Sequence, residues 1–243
     1  MGTSTAYEAP STPQWSKLKD EVTRLARRDR PDAVSAESVL RDYIAANGGA
    51  RQIAHGSGSV GRNREAQAVA RNLAGFISSV GIIGAREALR QLGVEELEGK
   101  SVGEISLLLI AYLGGPSSTI DGVDARNALS RLRNDLFKDA ETPEDIERIL
   151  EEYAQGEKFY ILLFNFFGYY LFEQFRRVFF ERLAERVGES RAIAFLGGIL
   201  DFIKSALRHI TLDQDISKID WAGEQGAAIA DDILQRTLEV FGG

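Results

Sequence analysis

The sequence predicts an all-α protein of about nine helices behind a short N-terminal tail. Three observations predict it. Apolar residues recur at three- and four-residue spacing, helix caps and stops punctuate those stretches, and no segment shows sustained strand alternation between turn signals. No proline follows Pro143, so nothing of that kind interrupts the last hundred residues.

Residues 1–14 hold Gly, Ser, Thr, Pro10 and Pro13 without an apolar face and read as a flexible tail; a helical domain is expected over 15–243. Trp15, Leu18, Val22 and Leu25 form the stripe of a first amphipathic helix, with Thr12 as cap, Pro13 in its first turn and Arg27, Arg28 and Arg30 at its cationic end. Ser35 starts a second helix over 36–47, stopped by Gly48-Gly49. A loop over 51–61 follows, then a helix over 63–79 that Gly81 and Gly84 break or bend before a short helix over 85–92. Ser101 and Glu104 make a capping box ahead of the apolar run 105–113, which favours helix over strand there. Asp121 is read as the cap of a helix reaching residue 137. Thr142-Pro143-Glu144-Asp145 opens another, with cap, first-turn proline and acidic first turn in agreement. Residues 159–187 form the longest helix. It holds 11 of the 22 aromatic residues, and its first half is apolar all round, the pattern of an element enclosed by others. Two more helices fill 192–209 and 220–241, and a soft boundary is placed near 138–142.

Composition excludes several chemistries. With no cysteine and two histidines, His55 and His209, the chain has no thiol nucleophile, no disulfide framework and no His-rich zinc site. No cofactor is expected. The start lacks the basic segment and apolar centre of a secretory signal, and the apolar stretch 159–172 is shorter than the roughly 20 residues of a spanning helix. A cytoplasmic protein without a membrane partner is expected. The formal charge of −7 is uneven: residues 1–100 hold 14 basic and 12 acidic side chains, the rest 15 and 24.

Four features are weighed for chemistry. Gly56-Ser57-Gly58-Ser59-Val60-Gly61 matches G-x-G-x-x-G and leads into a helix carrying Arg62 and Arg64, which suggests an anion contact. A dinucleotide fingerprint needs a preceding strand and a βαβ unit, and neither is in prospect, so an interhelical loop is the preferred reading. Arg51, Arg62, Arg64 and Arg71, opposed by Glu65, form a sparse basic patch, for which nucleic-acid binding is expected to be at most weak and salt-sensitive. Asp213/Asp215 and Asp231/Asp232 lack a spaced third ligand, and caps or solvated faces explain them. Finally, removal of Met1 before a small residue exposes the α-amine of Gly2, whose ordinary pKa of about 7.7–8.0 leaves a nucleophilic fraction at neutral pH. Thr3 and Ser4 are small enough to follow it into another protein's pocket.

Several segments together resemble a known family. They are Met1-Gly2-Thr3-Ser4 with a Pro-containing tail and Trp15, the Gly- and Arg-containing loop, Gly84-Ala85-Arg86-Glu87-Ala88-Leu89 with Leu97-Glu98-Gly99, and Thr119-Ile120-Asp121 before Asp124-Ala125-Arg126-Asn127-Ala128. The chain is similar to the B component of the Qat anti-phage defence system over about residues 1–137, and more loosely beyond. Tyr7-Glu8-Ala9-Pro10 departs from the Gly-Gly-Pro-like stretch usual there. The resemblance implies an operon with an ATPase, a QueC-like enzyme and a TatD-like nuclease, and a B component that is not an enzyme. It further implies that the QueC-like enzyme conjugates a 7-deazaguanine to the amine of Gly2. The competing expectation is a helical adaptor that recruits the ATPase or nucleic acid with its tail unmodified.

Overall fold

A computed structural model describes residues 11–28, 30–55, 63–94, 99–116, 118–208, 210 and 219–242. Among them there are eleven helices and no strand. They are α1 (Pro13–Ala26), α2 (Ala33–Ala46), α3 (Ala50–His55), α4 (Arg64–Ile83), α5 (Ala85–Gln91), α6 (Val102–Gly114), α7 (Ile120–Leu136), α8 (Pro143–Tyr153), α9 (Glu157–Val187), α10 (Glu189–Leu207) and α11 (Glu224–Gly242).

The all-helical class is as expected, and the count of about nine is too low. The added element is α3, in a stretch read from sequence as loop: it is only six residues long, too short to display a repeating apolar face. Two start signals also shift. Asp32, not Ser35, caps α2, accepting from the Ser35 amide at 2.7 Å. Thr119, not Asp121, caps α7, its hydroxyl accepting from the Gly122 amide at 3.1 Å. Gly81 lies inside α4; only Gly84, at φ +83°, separates α4 from α5. The capping boxes at Ser101/Glu104 and Thr142/Asp145 are both formed. Hydrogen bonds from the Glu141 and Thr142 amides hold the Asp145 carboxyl down at about 2.

The molecule is organised around α9. From Phe159 to Phe175 its buried residues face every direction, so that part of the helix has no wet side and needs neighbours all round. It gets them from α10, α7, α4, α11, α1 and α8. One apolar core runs from Trp15 to Phe241. Trp15, Tyr43, Phe175 and Phe179 form an aromatic cluster, with Trp15 edge-on to Tyr43 at 5.8 Å and Phe175 4.6 Å from Phe179 between ring centroids. This cluster ties α1 and α2 to the middle of α9. Helices α9 and α10 come close at Gly168, where an added Cβ would lie 3.0 Å from Ile203 Cγ2 and against Leu207 as well. A glycine there lets α10 lie close along α9. By length and composition α4 is the one helix among the described residues able to cross a membrane, yet half of its apolar window is buried inside the protein.

Candidate functional site

Helix α9 is apolar for most of its length, but polar groups enter its middle, and there α4, α7 and α9 meet. Tyr170, 2% exposed, donates its hydroxyl proton toward Asn63 Oδ1 at 2.7 Å and toward Asp121 Oδ1. Asn63 is buried, and among the described residues it is the only non-glycine with positive φ, at +67°. Asparagine tolerates that left-handed conformation better than most residues. Its side-chain amide donates to the carbonyl of Ile53 in α3. Residue 63 thus closes the chain back on residue 53.

The N-terminus of α4 is served from α7. Asn63 makes no side-chain cap; the Glu65 amide donates instead to Asp121 Oδ2 at 2.9 Å. In return the Thr119 hydroxyl donates to Glu65 Oε1 at 2.6 Å. Positive partial charge at a helix start attracts an anion, and at α4 a carboxylate of the same chain already holds the Glu65 position. The glycine-rich sequence of residues 56–61 and Arg62 lie outside the described residues, as do Gly2, Thr3, Ser4, His209, Asp213 and Asp215. Arg51 and Arg64 are exposed, and Arg71 is half-buried on α4.

A second polar layer lies one turn further along α9. Arg177 Nε donates to both oxygens of Asp124 on α7, at 2.9 and 3.3 Å. Glu173, 2% exposed, accepts from Arg131 on α7 and from Arg176 on α9, the latter at 3.3 Å. The Arg131 guanidinium also lies over the Phe172 ring, 4.7 Å from its centroid. Burial pushes Asp124 up to about 6, although the Arg177 charge beside it pulls the other way. Burial raises the Tyr170 phenol well above its usual range, and the Asp121 charge adds to the shift. Buried ion pairs add little net stability against apolar replacements, but losing one partner is costly, so they fix which turn of α7 faces which turn of α9.

His55 is the C-terminal residue of α3 rather than part of a loop, and it is not isolated. Its Nδ1 lies 2.6 Å from Asp231 Oδ2 and its Nε2 2.6 Å from Gln235 Oε1, both on α11. The Gln235 amide nitrogen donates to Glu239 at 2.6 Å, which turns its oxygen to the imidazole. Gln67 of α4 donates to the other Asp231 oxygen at 2.6 Å. Burial nudges the Asp231 carboxyl upward, against the lowering effect of His55. Asp232 pairs with Arg236 on the same helix. Among the described residues no group of three His, Asp or Glu side chains is placed to hold a metal ion.

The arrangement anchors both ends of the glycine-rich segment: His55 on one side to α11, Asn63 on the other to α3, α7 and α9. Asn63, Asp121, Tyr170, His55 and Asp231 are each engaged by a residue of another helix. Sequence reading missed Asn63, Asp121–Tyr170, Asp124–Arg177 and Glu173–Arg131. The available signal was the sudden appearance of Glu173, Arg176 and Arg177 inside an otherwise apolar helix, since buried charges require partners from neighbouring elements.

Against known proteins, a family model described as Qat anti-phage system associated protein QatB matches residues 48–241. The match takes in the C-terminal half, where the sequence had suggested only a helical, apolar likeness, and leaves residues 1–47 outside. No curated protein and no solved structure matches the chain.

Proposed function

The chain belongs to the QatB family of Qat anti-phage system associated proteins, and from that premise we propose that it is a non-enzymatic, cytoplasmic component whose N-terminal Gly2 is presented to a QueC-like enzyme for conjugation to a 7-deazaguanine. In the proposed step the enzyme holds the carboxylated base as an adenylate. The neutral amine of Gly2 attacks the acyl carbon, an amide bond forms, AMP leaves, and the amine gives up a proton. The chemistry belongs to the partner.

The observation that carries the reading is the small-residue start, Met1-Gly2-Thr3-Ser4, ahead of a firmly seated first helix. Helix α1 begins at Pro13 under the Thr12 cap, and Trp15, 3% exposed, lies against Tyr43 and Phe179. At up to about 3.3–3.6 Å per residue, the stretch before that anchor spans roughly 40 Å when extended, enough to enter a docked partner's active site. Intact-mass analysis after co-expression with the QueC-like enzyme tests it: the N-terminal peptide should lack Met1 and carry the added base. Gly2→Trp should retain Met1 and abolish both modification and phage protection. Protection without added mass would remove the mechanism.

A second reading, the adaptor that recruits the ATPase or nucleic acid, is favoured by α6. Its outer face exposes Leu107, Leu108 and Tyr112, the first at 62%, which is apolar area of the kind that partners cover. On this reading Leu107→Asp would abolish protection while leaving Gly2 chemistry intact. Nucleic acid held tightly at physiological salt, and released on replacing Arg62 and Arg64, would make nucleic acid the recruited partner.

A further inference from the structure

Away from the anchored segment, a cleft of about 530 Å³ opens between α4, α5, α6 and the stretch leading into α11. Its volume lies within the roughly 300–1,000 Å³ usual for small-molecule sites. Phe76, Tyr112 and Trp221 supply aromatic surface, Ser79 and Gln91 supply polar groups, and Arg71 is the one charged residue among the described residues of the wall.

Two of these residues carry unmet demands. Arg71 Nε and Trp221 Nε1 are both all but covered, and neither has a hydrogen-bond partner among the described residues. Trp221 is only 4% exposed, its indole packed 6.0 Å from the Phe159 ring between centroids. Buried donors are nearly always matched in folded proteins, so two unmatched ones in one cleft wall mark a place where an acceptor belongs. Both are N–H donors and neither can accept. The missing group is therefore rich in acceptor oxygens, and the Arg71 charge favours an anion. No carboxylate of the described residues pairs with Arg71, so its guanidinium can turn toward such a group. The aromatic surface favours a planar ring on the same molecule.

The geometry points to this cleft as a binding site for a small anion that carries a planar ring, its acceptor oxygens taken by Arg71 and Trp221 and its ring lying against the aromatic wall. A phosphate or a carboxylate supplies the same acceptor chemistry. Isothermal titration of the full chain with adenosine monophosphate, guanosine monophosphate, benzoate and inorganic phosphate separates the sources. At least one ring-bearing anion should bind saturably and more tightly than about 1 mM, with inorganic phosphate at least about tenfold weaker. Binding of a nucleoside monophosphate assigns phosphate as the acceptor, and binding of benzoate alone assigns carboxylate. Arg71→Gln and Trp221→Phe should each weaken that binding at least about tenfold. Arg71→Gln breaks no ion pair of the described residues, so a folded variant is available for the comparison; circular dichroism confirms it. Failure of every ring-bearing anion to bind, or binding that neither substitution weakens, would overturn the assignment.

Discussion

Replacing Tyr170 with Phe removes one oxygen from the interior, and its cost follows from what that oxygen serves. The hydroxyl has a single proton and faces two acceptors, Asn63 Oδ1 at 2.7 Å and Asp121 Oδ1. Tyr170 is 2% exposed and Asn63 1%, so water does not readily replace the lost donor. A hydrogen bond to a charged group contributes about 1.5–3 kcal/mol, and a buried acceptor left unmatched adds about 1–3 kcal/mol, partly the same loss counted from the other side. The ring itself is retained, so no sizeable cavity opens. A total of about 2–4 kcal/mol is expected. In urea denaturation followed by circular dichroism the midpoint should fall with an unchanged slope. Tyr169→Phe is the control: that hydroxyl donates to Asp135, whose side chain is 45% exposed and also meets Lys204. Solvent can take over there, and the loss should stay within about 1 kcal/mol. Equal losses in the two variants would refute the argument that the junction of α4, α7 and α9 is held by a dry polar contact.

Three further outcomes are expected. Phe166→Ala, at a fully buried position of α9, should cost about 3–5 kcal/mol by chemical denaturation; a loss under about 1 kcal/mol would mean that α9 is not enclosed. Gly168→Val should cost at least about 1–3 kcal/mol because its Cβ meets Ile203 and Leu207, whereas Gly197→Ala, with nothing within 4 Å of the new carbon, should gain about 0.5–1 kcal/mol. Asp124 binds its proton at about pH 6 when folded, against 3.8 for an ordinary aspartate; the stability linked to that proton is present below about pH 4 and is lost as pH rises through 6, a swing of about 3 kcal/mol. Asp124→Asn removes the titration, so the stability difference between variant and parent should move in the variant's favour by most of that amount, about 2 kcal/mol, between pH 4 and 7. A difference that stays constant over the range would show that Asp124 does not titrate there.

Much of the helical architecture is local and could be read from the chain alone. The box at Ser101/Glu104, the Thr142-Pro143 start and the all-round apolar run of α9 are each written within a few neighbouring residues, because caps and periodicity act over one or two turns. The short helix α3 escaped because six residues do not display a period, and α2 starts one turn early because Asp32 competes with Ser35 for the same role. The polar centre could not be read this way. Asp121 has the sequence position of a cap for its own helix, yet its carboxylate serves α4, 56 residues earlier. His55 reads from sequence as part of a loop, yet it pairs with a carboxylate on α11. Partners so distant in sequence are chosen by how whole helices pack, since a buried polar group must find a match wherever the fold brings one. The chain by itself determined every helix but α3, and where most of them start and stop to within about a turn. Only the tertiary structure decided which polar residues become one another's partners, because that choice depends on the position of α9 within its ring of neighbours.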